Sequence, residues 1–141
     1  MFKSIVWATD GSEAADRALP LAKELATGEG KTLVVVHVKE VFTGGRSVRY
    51  PIHADEDELE RKIQAQVEEL AKAGVDATMR VVSGGGGHSA HLIADTAAEV
   101  KGDVIVVGTR GHAPVPGLLL GSVTQRLLHV APCPVLAVPA H

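Results

Sequence analysis

The chain has 141 residues, 45% of them apolar and 22% charged, with a formal net charge of −3. That length suits one domain with a substantial core, and the balance is that of a globular chain, which excludes intrinsic disorder. The acidic balance excludes a dedicated nucleic-acid binder, which needs a basic face to displace counterions from phosphates, and a polybasic membrane anchor.

Aromatic residues make up 3% of the chain, so Val, Leu, Ile and Ala must fill the core. Cys133 is the single cysteine, so no intrachain disulfide forms. The start, Met1-Phe2-Lys3-Ser4-Ile5-Val6-Trp7, lacks a secretory h-region. No apolar run approaches the ~18 residues of a membrane-spanning helix. A reducing, cytoplasmic location is the expectation.

Short β-branched runs alternate with longer segments of helical period. Residues 4–8 read as the first strand, almost continuously apolar. A helix follows over about 12–27, with Ala15, Ala18, Leu19, Ala22 and Leu25 on one side; Pro20 removes a backbone hydrogen bond there and predicts a kink. Residues 33–38 are the second strand, again apolar throughout, as strands covered on both faces are. The segment 39–53 reads as one long irregular loop, and such loops are often functional.

The second helix carries Leu59, Ile63, Val67 and Leu70 at helical spacing, with Gly74 as a C-terminal cap. Residues 77–82 form a third strand whose polar Thr78 and Arg80 suit a sheet edge. The run Ser83-Gly84-Gly85-Gly86-Gly87-His88 reads as a flexible turn into a third helix, which carries Leu92, Ile93, Ala97 and Val100. Residues 104–107 are the fourth strand. The fourth helix spans about 122–130 and stops before Pro132, and residues 135–138 are the fifth strand. Strand and helix alternating this regularly give parallel strands with right-handed crossovers. The fold class is therefore α/β, a doubly wound five-stranded parallel sheet with helices on both faces, and residues 1–141 read as a single domain.

Ligands of such sheets bind outside the carboxyl ends of the strands, where the strand order reverses. Strand one runs into Thr9-Asp10-Gly11-Ser12. Strand four runs into Gly108-Thr109-Arg110-Gly111, then a loop, then Gly121-Ser122-Val123-Thr124 opening a helix. Glycines permit close backbone approach, a helix N-terminus offers free N–H groups, and Arg110, Ser122 and Thr124 add donors. This is either an anion cradle or a surface loop with an N-capping Ser122. Asp10 likewise has two readings, as a ligand contact or as a cap of the first helix.

Other motifs fail on context. Gly28-Glu29-Gly30-Lys31-Thr32 ends like a phosphate-binding loop but leads into a strand, and Leu25 stands where its first glycine belongs. No Gly-x-Gly-x-x-Gly follows the first strand. His88 and His91 have no obvious third metal ligand. A phospho-receiver would need paired acids after strand one and an aspartate ending strand three. Cys133 lies between two prolines with no helix N-terminus to activate it. No pair of groups stands out as acid and base.

At these residues the chain resembles the universal stress protein family, in its ATP-binding subgroup. The family's nucleotide motif is Gly, two residues, Gly, nine residues, Gly, then Ser, Thr or Asn. Here it is Gly108, Thr109-Arg110, Gly111, residues 112–120, then Gly121-Ser122. The opening Ala8-Thr9-Asp10-Gly11-Ser12 and the ending Ala131-Pro132-Cys133-Pro134-Val135-Leu136 fit as well, three matches in order across nearly the whole chain.

The resemblance implies the sheet order 3-2-1-4-5 and ATP with Mg²⁺ or Mn²⁺ as ligand. Gly108, Arg110, Gly111, Gly121, Ser122 and Thr124, with Val123 beside them, would surround phosphates and ribose. Asp10 and Val38 would lie near ribose and adenine, helped by the backbone of Ala8 and Thr9. It implies a homodimer pairing through Val135, Leu136, Ala137 and Val138, which buries an open edge. The function expected is a nucleotide-dependent stress-response switch with at most slow hydrolysis or self-phosphorylation. A cyclic AMP-binding member and a dimeric interaction module without nucleotide are the alternatives. Arg46, Arg49 and His53 in the long loop are either a lid over the phosphates or a solvated loop.

Overall fold

The computed structural model describes residues 2–43, 49–51, 55–85, 87–109 and 120–139. The elements are β1 (Ser4–Ala8), α1 (Glu13–Leu25), β2 (Thr32–Thr43), β3 (Arg49–Pro51), α2 (Glu56–Lys72), β4 (Ala77–Gly85), α3 (Ser89–Glu99), β5 (Val104–Gly108), α4 (Ser122–Val130) and β6 (Val135–Val138). Five parallel strands lie in the order β4-β2-β1-β5-β6. Counted along the chain without the short β3, this is the expected order 3-2-1-4-5.

The near-continuous apolar strands follow from two covered faces, because successive side chains alternate across the sheet. Ile5, Trp7, Leu33, Val35, Val104 and Val106 form one core with Ala18 and Ala22 of α1 and Ile63 and Leu70 of α2. Val6, Ala8, Val34, Val36, Ile105 and Val107 form the other with Ile93 and Ala97 of α3 and Leu127 of α4. Trp7 is fully buried, and its indole N–H donates to the Ala15 carbonyl at 3.1 Å, so the bulkiest core residue also fixes the first turn of α1.

Helix ends follow local chemistry. The Ser12 hydroxyl accepts from Ala15 N and caps α1, which runs on through Pro20 as one helix. At the end of α2, Gly74 N bonds the Ala71 carbonyl and Val75 N bonds the Leu70 carbonyl, both at 3.0 Å, a Schellman closure.

Two expectations need correction. Residues 39–53 are not one irregular loop: β2 runs to Thr43, and Val41–Thr43 pairs antiparallel with Arg49–Pro51. Strand three of the sequence reading does not end at 82 but continues to Gly85 as β4. The two extensions have one cause. Beyond the last β1 pair, Ala8 with Val36, β2 keeps β4 as its partner from Leu33 with Ala77 to Val41 with Gly85, so its backbone groups stay bonded. Half the glycine run is thus strand. Arg46 and His53 lie outside the described residues. Among the described residues, no helix is long and apolar enough to cross a membrane.

The amino end of the sheet is fastened by Asp103, whose Oδ2 accepts from Ser4 N at 2.9 Å and Lys3 N at 2.8 Å. These two bonds, Ser4 first, hold its carboxyl below the ordinary carboxylate range. A depressed folded value contributes stability above the unfolded value of about 3.9, and loses it as pH falls through the folded one. In denaturation midpoints followed from pH 6 to pH 2, wild type is expected to exceed Asp103→Ala at the upper end, and the two curves to converge at the acid end.

Candidate functional site

β1 and β5 are neighbours, and their chains leave to opposite faces, β1 into α1 and β5 towards α4. At that reversal a cavity of about 260 Å³ opens. Of the expected site residues, Ala8, Thr9, Asp10, Val38, Gly108, Gly121, Ser122, Val123 and Thr124 all line it. Arg110 and Gly111 lie outside the described residues. The fold brings the two loops together, as the topology required.

The loop after β1 is braced from several sides. Asp10 Oδ1 accepts from Ser12 N at 3.0 Å, and the Thr9 hydroxyl accepts from Gly11 N at 3.0 Å. Gly11 has φ +80°, the left-handed region that favours glycine, and a Cβ there would stand 2.6 Å from Leu59 Cδ2 and push that methyl aside. Lys62 of α2 donates to the Gly11 carbonyl and to Asp16 Oδ2, both at 2.7 Å. Ser12, not Asp10, is the cap of α1; the Asp10 carboxylate shapes the turn ahead of it, and Asp10 is among the residues that line the cavity.

The α4 side differs from the sequence reading in detail. A Cβ on Gly108 would lie 2.5 Å from the Ala14 carbonyl oxygen, so glycine here lets α1 pack against the end of β5. Thr124 is buried, and its hydroxyl donates to the Gly108 carbonyl at 2.8 Å, which commits its one proton to the fold. Backbone groups of α4 add donors beside it. Gly121 is the N-cap of α4, no side chain among the described residues caps the helix, and Ser122 and Val123 line the cavity. The first N–H groups of a helix have no partner within it and carry the positive end of its dipole.

Sequence reasoning missed a buried pair in the wall. His37 is 2% exposed and Glu56 is 3% exposed, with Nε2 and Oε1 at 2.6 Å. The other ring nitrogen, Nδ1, lies 3.0 Å from the Thr9 carbonyl. A carbonyl only accepts, so Nδ1 carries a hydrogen, and the Nε2–Oε1 contact needs one proton between its atoms. His37 thereby ties the end of β1 to the first residue of α2. It also missed Glu40, whose Oε1 accepts from the Ser89 hydroxyl at 2.8 Å at the cavity edge. A polar residue inside an apolar strand was the available signal for His37; nothing local distinguishes Glu56 from the acidic residues around it.

A family model described as the universal stress protein family matches residues 1–139. The chain belongs to that family. A universal stress protein of Thermus aquaticus is 38% identical over 138 residues, covering 98% of this chain and 99% of its own. Among solved structures, a universal stress protein from Archaeoglobus fulgidus in complex with dAMP has TM-score 0.66 at 28% identity, with 98% of each chain covered. Another universal stress protein, in complex with cAMP, has TM-score 0.70 at 26% identity, covering 99% of this chain and 98% of its own.

Breaking the buried pair tests its weight. Glu56→Leu leaves His37 Nε2 buried without a partner and is expected to cost on the order of 3 kcal/mol in chemical denaturation. Glu56→Gln keeps a donor opposite the neutral ring and should cost about 1 kcal/mol or less. Equal losses in the two variants would show that packing, not the hydrogen bond, holds this junction.

Proposed function

We propose that this universal stress protein binds an adenine nucleotide, ATP with Mg²⁺ or Mn²⁺ first, at the β1–β5 crevice and acts as a nucleotide-dependent regulatory switch. The observation that carries the reading is the α4 N-terminus, without a side-chain cap among the described residues, opening into a cavity that the apolar Val36 and Val38 also line. A phosphate suits the former, and an apolar ring suits the latter. The volume of about 260 Å³ lies near the lower end of the roughly 300–1,000 Å³ of small-molecule sites. It matches a nucleoside, with the phosphates leaving past Gly121 and Ser122. Relatives solved with cAMP and dAMP support an adenine ligand.

Among the described residues, no group of three His, Cys, Asp or Glu side chains is placed to hold a metal. In this reading the divalent cation is carried by the phosphates, and Asp10 is the acidic side chain of the β1 loop nearest to the crevice. Regulatory output and slow hydrolysis go together, with turnover far below the ordinary enzyme rate of ~10 s⁻¹. The homodimer belongs to the same proposal. β6 pairs with β5 on one side, Leu136 is 36% exposed on it, and Leu128 of α4 is 53% exposed.

Calorimetric titration of nucleotide-stripped protein with ATP and Mg²⁺, repeated with cyclic AMP, tests the site. Saturable binding is expected, weakened at least ~10-fold by Gly121→Val, a loss of about 1.4 kcal/mol. Tighter binding of cyclic AMP would keep the site and change the ligand. No binding of either by folded protein would leave a dimeric interaction module. Light scattering tests the dimer: wild type is expected at twice the chain mass, and Leu136→Lys at the chain mass. A wild-type monomer would discard the strand pairing.

A further inference from the structure

The cavity is electrically lopsided. On its α4 side it meets helix N–H groups; on its α3 side it meets the carboxylate of Glu40. Glu40 comes from β2, where residues two apart share a face, so Val36, Val38 and Glu40 form one row. The β1 partner of β2 ends at the pair Ala8 with Val36. Beyond it the row lines the cavity with one apolar side chain, Val38, followed roughly 7 Å on by an acid.

The α3 helix also presents its N-terminus here, and its first turn contains no acidic side chain. Glu40 supplies one from the neighbouring strand, through the 2.8 Å bond from the Ser89 hydroxyl, and Ser89 is buried. The negative charge cancels the attraction that this helix end would exert on a phosphate. An anionic ligand therefore has one end at which to place its charge, at α4. Its uncharged end lies along Val38 and stops at Glu40.

We infer that Glu40 selects the base: its carboxylate accepts an exocyclic amine N–H, so the crevice favours a 6-aminopurine over a purine lacking that amine. This rests on the nucleotide reading above and deepens it. A carboxylate offers about four acceptor positions. The Ser89 hydroxyl uses one of them, and a ring bearing N–H donors at its far edge can use another. Hydrogen bonds to a charged group are stronger than neutral ones, and a site built around one discriminates against ligands that cannot make it.

The experiment compares ATP with purine riboside 5′-triphosphate, which lacks only the amine, each titrated with Mg²⁺ into wild type, Glu40→Leu and Glu40→Gln. Wild type is expected to prefer ATP by about 10- to 100-fold. Glu40→Leu should bring the ratio within about threefold of unity, and Glu40→Gln, whose amide oxygen still accepts, should retain part of the preference. A merely structural Glu40 would weaken both ligands alike and leave the ratio unchanged in Glu40→Leu, which would overturn the inference. Equal affinity in wild type would overturn it as well, with the nucleotide reading intact. Binding of neither triphosphate by wild type would remove both readings together.

Discussion

His37 stands where β1, β2 and α2 meet, and its ring bonds to the other two at once, to the Thr9 carbonyl and to Glu56. A parallel sheet leaves the carboxyl ends of its strands ragged, because each chain departs as soon as its pairing stops. β1 stops at Ala8 while β2 runs on to Thr43. The backbone of Thr9 would otherwise be free to turn in more than one way. With its N–H on the Val36 carbonyl and its carbonyl on His37, both groups are fixed, and the direction of Asp10 follows. Because the pair is buried, a single lost partner would leave a desolvated polar group, which costs far more than an exposed bond contributes. The crevice is thus shaped by a junction that no ligand needs to touch.

From that junction α2 extends the same restraint. Its residues Glu56, Leu59 and Lys62 recur at intervals of three and so share one side of the helix. They meet His37, the position of Gly11, and the Gly11 carbonyl in turn. One helix side therefore supports the β1 loop at Thr9, through His37, and at Gly11, through Leu59 and Lys62. The α4 side is built differently, with Gly108 admitting α1 and with Thr124 spent on the Gly108 carbonyl, which leaves backbone donors facing the cavity. One wall is side chains locked by partners. The other is a helix end without them.

Much of this fold was legible because two-sided burial writes itself as runs such as Leu33 to Val36, and helical burial as Leu59, Ile63, Val67 and Leu70. The alternation of the two gave parallel strands, and the strand order that the family resemblance implied put both loops on one crevice. The local reading failed where an element was held by something far along the chain. Lys39 and Glu40 looked like the start of a loop since polar residues interrupted the apolar run, yet they alternate across a strand that β4 keeps paired. Lys39 reaches Glu60 on one side and Glu40 reaches Ser89 on the other. Glu56 sits among Asp55, Asp57 and Glu58, an acidic cluster suited to a helix start, and only the position of His37 sets it apart. Gly108, expected beside a phosphate, lines the cavity, and its missing side chain also admits α1, which no local pattern announces.

The arrangement also bears on how a ligand at this crevice would reach the rest of the protein. A ligand shifts a conformational balance only through contacts that differ between two states. The walls set by His37, Gly11 and Gly108 are tightly packed and have little room to differ. The α4 end is the exception, since among the described residues its first N–H groups meet no side-chain cap, and an anion would give them a partner. α4 is nine residues long and passes in four more residues to β6, the edge strand that carries Leu136. The element with the most to gain from a phosphate is therefore adjacent in sequence to the edge through which a second copy would pair. If the chain acts as a switch, the shortest physical route from ligand to partner runs along α4 into β6, while the β1 wall serves as the fixed side against which that movement is made.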